Sequence, residues 1–355
     1  MKHASRLDAV RVVPVHTRQP PSRARRRAVR WTVVGFAVLF VSVLIGLFAG
    51  AVRIPPTGIL GWMVGAGTLT EQQRAILAQL RLPRVVLAGL VGAALSVSGC
   101  AYQAAFRNPL ADPYLLGSAA GAGLGATLVI VLGVADVPFA LPAAAFLGAL
   151  GGVGLAYLMA STRAAGRTST SLLLAGVAVA SFLTAFQTYV QQRDTDDLRE
   201  VYAFILGRLG TGGWHEVLLA LPWVVLASAV LLASRRLLEV LSLGDLEAAS
   251  LGAHVSRDRA IVVIAASLAT AAAVAVAGLI GFVGLIVPHA VRMATGASHR
   301  LVVGLSLLFG ASFLILCDVL ARTVVAPGEL PIGVITAMIG APFFAFVLRR
   351  SGGAR

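Results

Sequence analysis

Apolar runs of about 20 residues, the length that crosses a bilayer as a helix, alternate with short polar breaks along most of the chain. They predict an all-α, polytopic membrane protein of about ten spans. The spans run from Trp31 to Gly50 and then over 84–106, 113–134, 139–160, 171–190, 215–233, 259–277, 278–293, 301–321 and 331–348. The pattern is clearest from Arg81 to Gly125. Pro83, flanked by Arg81 and Arg84, suits the first turn of a helix, where proline gives up no needed donor. Asn108-Pro109 ends that helix, because proline disfavours helix in the residue before it and cannot donate. The next span carries Gly117, Gly121 and Gly125 four apart, the small-residue spacing that lets helix backbones approach closely in lipid.

The breaks orient the spans. Residues 1–30 form a basic tail, with Arg23, Arg25, Arg26, Arg27 and Arg30 just before the first run. Arginine at the ends of short loops marks the cytoplasmic side, so the tail is expected inside, touching anionic lipid. Ala49-Gly50-Ala51 resembles a signal-peptidase site, but the long run and the bundle that follows favour a retained anchor. Residues 31–350 then form one transmembrane domain, with a cytoplasmic loop over 238–258 and a short cytoplasmic tail over 351–355. Arg163, Arg167, Arg235, Arg236, Arg349 and Arg350 all fall inside on this reading, as do both termini. The segment from Gln191 to Trp214, with Asp194, Asp196, Asp197 and Glu200, falls outside. Arg81, Arg84 and Arg322 break the rule by standing at outer span ends. Either they snorkel to lipid phosphate, or they form an external basic rim that accepts a partner's carboxylates.

Composition removes several classes. Of 355 residues, 58% are hydrophobic and 12% charged, against about 25% charged in soluble domains. The net charge of +14 sits at span ends and in the tail, which argues against nucleic acid as a partner. Lys2 is the only lysine. A nucleotide-binding P-loop needs a lysine on the phosphates, so any ATP that drives this chain is hydrolysed by another. No paired carboxylates, no Ser/His/Asp set and no HExxH helix are present, and His215-Glu216 lacks the second histidine. Histidines 3, 16, 215, 254, 289 and 299 show no ligand spacing, so no metal site or bound cofactor is expected. Cys100 and Cys317 read as small buried hydrophobes, with a disulfide or metal pair as the alternative.

Three features remain as candidates. From Leu238 to Arg259, two short apolar-polar stretches are punctuated by Gly244 and Gly252. Short amphipathic helices there would offer Leu241, Leu243, Ala248, Ala249 and Leu251 to a partner's groove; the alternative is a plain linker. Asp318 is the main acid within a span and a functional candidate by default, but it lies one helical turn from Arg322 and suits an ion pair. His289, after Pro288, is read as interfacial packing or helix capping, with a gating role as the alternative.

The segments RLPR, GAALSVSGCAYQAAFRNPLADPYLLG, LLLAGVAVA, LGDLEAASLGA, GLIGFVGLIVPHAVR and ELPIGVITAMIGAPFFAFVL, in that order, resemble the FecCD/BtuC family. These are permease subunits of type II ABC importers for iron–siderophores, haem and cobalamin. The resemblance runs from about residue 30 to the end. It implies a ten-helix subunit in the bacterial cytoplasmic membrane, paired with a second copy or a paralogue. Two ABC ATPase subunits would bind inside and a substrate-binding protein outside. By position, Arg81, Arg84 and Arg322 match the family's binding-protein docking arginines. Leu243, Gly244, Asp245, Ala249, Leu251 and Gly252 match its ATPase coupling helices. Asn108 and Leu110 match an inner gate, and Ser169 and Thr170 a second gate element.

The expected function is therefore the permease of an importer, with an iron–siderophore complex as cargo and haem or cobalamin as the alternatives. Of other classes, an ion-coupled secondary transporter would need ionisable groups near the midplane and paired broken helices. This chain offers only Asp318 and the broken Gly278–Pro288 segment. A non-transporting membrane scaffold is the remaining class.

Overall fold

A computed structural model describes residues 21–50, 52–66, 69–161, 169–193, 197–209, 213–296, 298–326 and 328–352. Among these residues every regular element is a helix. Most of the basic tail, Arg163, Arg167, Asp194 and Asp196 lie outside them. Helices α1 (Pro21–Phe48), α2 (Pro56–Met63) and α3 (Glu71–Ala75) come first. A π-helical turn, Ile76–Arg81, leads into α4 (Leu82–Ala105). Then follow α5 (Ser118–Val131), α6 (Ala140–Ala160), α7 (Ser169–Arg193) and α8 (Leu198–Ile205). After α9 (Trp214–Ala233) come two short helices, α10 (Arg235–Leu241) and α11 (Asp245–Ser250). The chain closes with α12 (Val255–Ala277), α13 (Val283–Thr295), α14 (His299–Thr323) and α15 (Ile332–Gly352).

Seven helices are long and apolar enough to cross a membrane; they include α1, α6, α7, α9, α12, α14 and the 35-residue run Glu71–Ala105. Three shorter apolar helices, Ser118–Val131, Val283–Thr295 and Ile332–Val347, fall where the sequence places the remaining spans. α4, α12 and α14 form the buried centre, while α1, α6, α7 and α9 are mostly exposed and sheathe it. An exposed apolar sheath is what lipid requires.

Two predicted boundaries move. Pro83 stands in the first turn of α4, as expected, but α4 continues α3 and the π-turn without a break, so the helical run begins at Glu71. The wide π-turn just before Pro83 absorbs the missing donor and the ring. The span predicted to begin at 113 begins instead at Ser118, after a long polar corner. The glycine ladder does pack as expected. A Cβ on Gly121 would stand 2.0 Å from the Gly148 carbonyl oxygen of α6, and one on Gly125 would stand 2.2 Å from that of Ala144. Polar glue joins the centre: Tyr102 and Ser267 hydroxyls meet at 2.7 Å, and Ser98 donates to the Ala266 carbonyl at 2.9 Å. Cys100 and Cys317 are both buried free thiols, so the disulfide alternative falls.

Candidate coupling and docking sites

α4 ends in a Schellman motif. Asn108 N–H donates to the Gln103 carbonyl and Arg107 N–H to that of Ala104, which satisfies carbonyls the helix would leave free. The motif needs a left-handed residue, and here it is Arg107, at φ 52°. Beyond it, the Asn108 side chain accepts from Leu110 N–H at 2.9 Å, and that of Asp112 accepts from Tyr114 N–H at 2.8 Å. Such local turns hold a corner without helix or sheet. Leu110 is exposed at its tip. Tyr114 reaches across to the loop before α13, donating to the Ile280 carbonyl and accepting from Ile280 N–H, both at 3.0 Å. Burial pushes the Asp112 carboxyl up to about 6 against the Tyr114 N–H bond, which pulls it down.

The short helices α10 and α11 lie at the same end. Gly244 starts α11 with φ 139°, and a Cβ there would meet the Glu247 carboxylate at 2.1 Å. The backbone conformation is what calls for glycine, since the exposed Glu247 side chain can swing away. Asp245, the first residue of α11, accepts from Arg259 Nη2 at 2.6 Å and lies 3.8 Å from Arg107 Nη2. Arg259 is buried, and its Nε donates to the Ala105 carbonyl at the end of α4. One guanidinium thus ties α11, α12 and the α4 corner together. The leucines divide between core and surface. Leu243, Leu246 and Leu251 are exposed, Leu246 by 84%, whereas Leu241 and Ala248 are buried. The expectation that Leu241 and Ala248 face a partner is therefore corrected: they anchor the short helices to the bundle. Leu246 was missed because its one-turn helix is too short to show a period. Ala249 is exposed beside it, and Gly252, at φ 85°, ends the element.

The second gate pair is less defined. α7 starts at Ser169, whose side chain lies outside the described residues, and Thr170 is exposed in its first turn.

At the opposite end the three arginines converge, but not as an open rim. Arg81 is only 5% exposed, and it donates to the carbonyls of Leu47, Phe48 and Val52. Arg322, also buried, donates to those of Gly46 and Ala49 at 2.7 and 3.0 Å. Both cations sit on the C-terminal end of α1, where the helix dipole favours them. Asp318 bridges Arg322 Nε at 3.2 Å and Arg84 Nε at 2.8 Å. The ion pair one turn apart therefore forms, with Arg84 added. The fork of Arg84 also grips the exposed Glu329 at 2.9 and 3.0 Å. Of the trio Arg84 is the least enclosed, and among the described residues Arg53 and Arg74, between α1 and the π-turn, are exposed cations. Their exposure follows from the unpaired loop and the first turn of α3, a signal the span-end rule did not weigh. His289 packs against Phe343 and Phe344 at centroid distances of 6.0 and 6.4 Å, as the packing reading expects.

Apolar spanning helices around a polar-linked centre define a multi-pass membrane protein. The chain belongs to the FecCD transport family, whose sequence profile matches residues 38–350, and it is an ABC importer permease. It is 39% identical over 341 residues to the uncharacterized ABC transporter permease protein YvrB of Bacillus subtilis, covering 93% of this chain and 96% of that one. It is 44% identical over 279 residues to the cobalamin import system permease protein BtuC of Halobacterium salinarum, covering 79% and 74%. A solved ABC transporter described as of metal-chelate type, in an inward-facing conformation, superposes with TM-score 0.79 at 29% identity, covering 92% of this chain and 99% of that one. Other relatives are named for iron(3+)-hydroxamate import in Bacillus subtilis and hemin transport in Yersinia pestis, at 34% and 39% identity.

Proposed function

We propose that this permease carries an iron–siderophore complex, as one half of a ten-span-per-subunit dimer with both termini in the bacterial cytoplasm. Separate ABC ATPases seat on α10–α11, and a substrate-binding protein docks at the other end through Arg84 with Arg53 and Arg74. The observation that carries the mechanism is the grip of Arg259 on both Asp245 and the end of α4. A force applied by a motor to the exposed leucines of α11 passes through that guanidinium to the corner of Asn108 and Leu110. The same corner is held to the α13 loop by Tyr114, so one push moves two walls. Asn108, Leu110, Ser169 and Thr170 form the gate on this reading.

The cargo path is supported by one face of α7. Thr184, Thr188 and Gln191 line a groove of about 370 Å³ with Tyr114, Ile205 and Leu279. The Thr188 hydroxyl is satisfied within α7 by the Thr184 carbonyl, but an amide such as Gln191 facing the groove does not suit lipid. Such an amide suits a cargo whose metal is already caged and asks for no ligands. Cobalamin is the second reading, favoured by the 44% identity to the halobacterial permease. Proteoliposomes holding the assembled complex separate the two. ATP-dependent uptake of ferric hydroxamate, undiminished by excess cobalamin, is expected. Cobalamin uptake with no iron uptake would replace the first reading by the second.

A further inference from the structure

α1 and α13 both pack against α14, and between them they leave an apolar slot of about 360 Å³. Trp31 and Val38 form one wall, Ile286 and Val291 the other, and Phe309 and Phe313 the floor. The hydroxyls in its lining are already used: Thr295 donates to the Val291 carbonyl and Ser312 to that of Leu308, each at 2.8 Å. The Trp31 indole is not. Its Nε1 is buried and has no hydrogen-bond partner among the described residues. A buried indole N–H normally finds an acceptor. One turn earlier on α1, Arg27 stands at the mouth of the slot and donates to the carbonyl of Ala294, a lining residue, at 3.1 Å. Arg26 and Arg30 are exposed beside it, and α1 contains no acidic residue.

We propose that this slot binds one anionic glycerophospholipid. The acyl chain fills the slot, an ester carbonyl accepts from Trp31 Nε1, and the phosphate pairs with Arg27. The spacing suits that molecule, since four residues of helix, a rise of about 6 Å, separate the two donor residues along α1 and a lipid sets its phosphate close to its glycerol esters. An inserted peptide is disfavoured, because the apolar slot offers its backbone N–H groups only the oxygens of two hydroxyls as acceptors. Free phosphate is disfavoured because the slot is apolar. The inference rests on the membrane reading of the chain but on neither cargo nor motor.

The test uses full-length chain in which Trp62, Trp214 and Trp223 are replaced by Phe, leaving Trp31 as the reporter. It is reconstituted in vesicles mixing an ordinary lipid with brominated phosphatidylglycerol or brominated phosphatidylcholine. Quenching of Trp31 is expected to show about fivefold preference for the anionic lipid, the effect of one arginine near a membrane surface. Arg27→Ala should bring that ratio close to one, while Arg53→Ala at the far end should leave it intact. Equal quenching by both lipids, or a ratio unmoved by Arg27→Ala, overturns the proposal; so does no quenching by either. If the reporter chain does not fold, native mass spectrometry of chain with all four tryptophans decides the same point. Retained phosphatidylglycerol should be lost on Arg27→Ala, and unchanged retention overturns the proposal.

Discussion

Asp112 lies in the corner after α4, Asp245 is tied to that corner through Arg107 and Arg259, and the two do different work. Asp112 is partly buried, and its carboxyl is raised to about 6 from 3.8. A raised carboxylate stabilises the fold in its neutral form, so that contribution is present at low pH and is lost as pH rises from about 4 through about 6. Melting of the purified protein should therefore show a fall in Tm across that window, and Asp112→Asn should remove the fall. An identical pH profile in both proteins would contradict it. Asp245 instead holds a charge that the buried Arg259 needs. Asp245→Asn weakens a charge-assisted bond of about 1.5–3 kcal/mol. The assembled complex should still hydrolyse ATP, while uptake per ATP falls about tenfold or more, as a loss of ~1.4 kcal/mol gives. Unchanged uptake per ATP would show that the link transmits nothing. The sequence gives the identity and place of such residues but not the direction of a long side chain. Arg81 and Arg322 were placed correctly at span ends, yet they turn inward onto the carbonyls of α1, which no span-end rule reports.

At the scale of helices, apolar length is the signal a chain shows best, and each run of about 20 residues became a helix. The errors lie where length is short or a turn is unusual. α8, of eight residues, is not legible in the sequence; the short helices expected around Gly244 do form as α10 and α11, but seven and six residues are too few to show which face each one buries. The π-turn at Ile76–Arg81 leaves no composition mark, so the helical run that leads into Pro83 from Glu71 is not legible in the sequence. Close packing, by contrast, was legible in the four-residue spacing of α5. Because Gly121 and Gly148 approach each other's backbones at 2.0 and 2.2 Å from any added Cβ, Gly121→Leu must push α5 off α6. The expected cost is about 1–3 kcal/mol or more, read as a lower Tm in detergent. A variant as stable as the wild type would show that this contact does not hold the two helices.

The whole molecule joins two polar ends through a centre of α4, α12 and α14, and neither end acts alone. The end carrying α2 and α3 is closed by arginines, acids and carbonyls that satisfy one another, so removing Arg322 leaves the buried Asp318 held by Arg84 alone before it affects any partner. The end carrying α10 and α11 is the reverse: its core leucines are buried and Leu243, Leu246 and Leu251 are left in the open. A membrane subunit that leaves leucines beyond its apolar belt, on helices wired to an internal corner, is built to be held by something else. The direct test is affinity purification of the chain from its native membrane, followed by ATP hydrolysis in the eluate. Wild-type chain should bring an ABC ATPase with it, and Leu246→Asp with Leu251→Asp should lose both ATPase and hydrolysis while keeping native helicity and Tm. Equal ATPase recovery with both proteins, or none with either, would contradict the account.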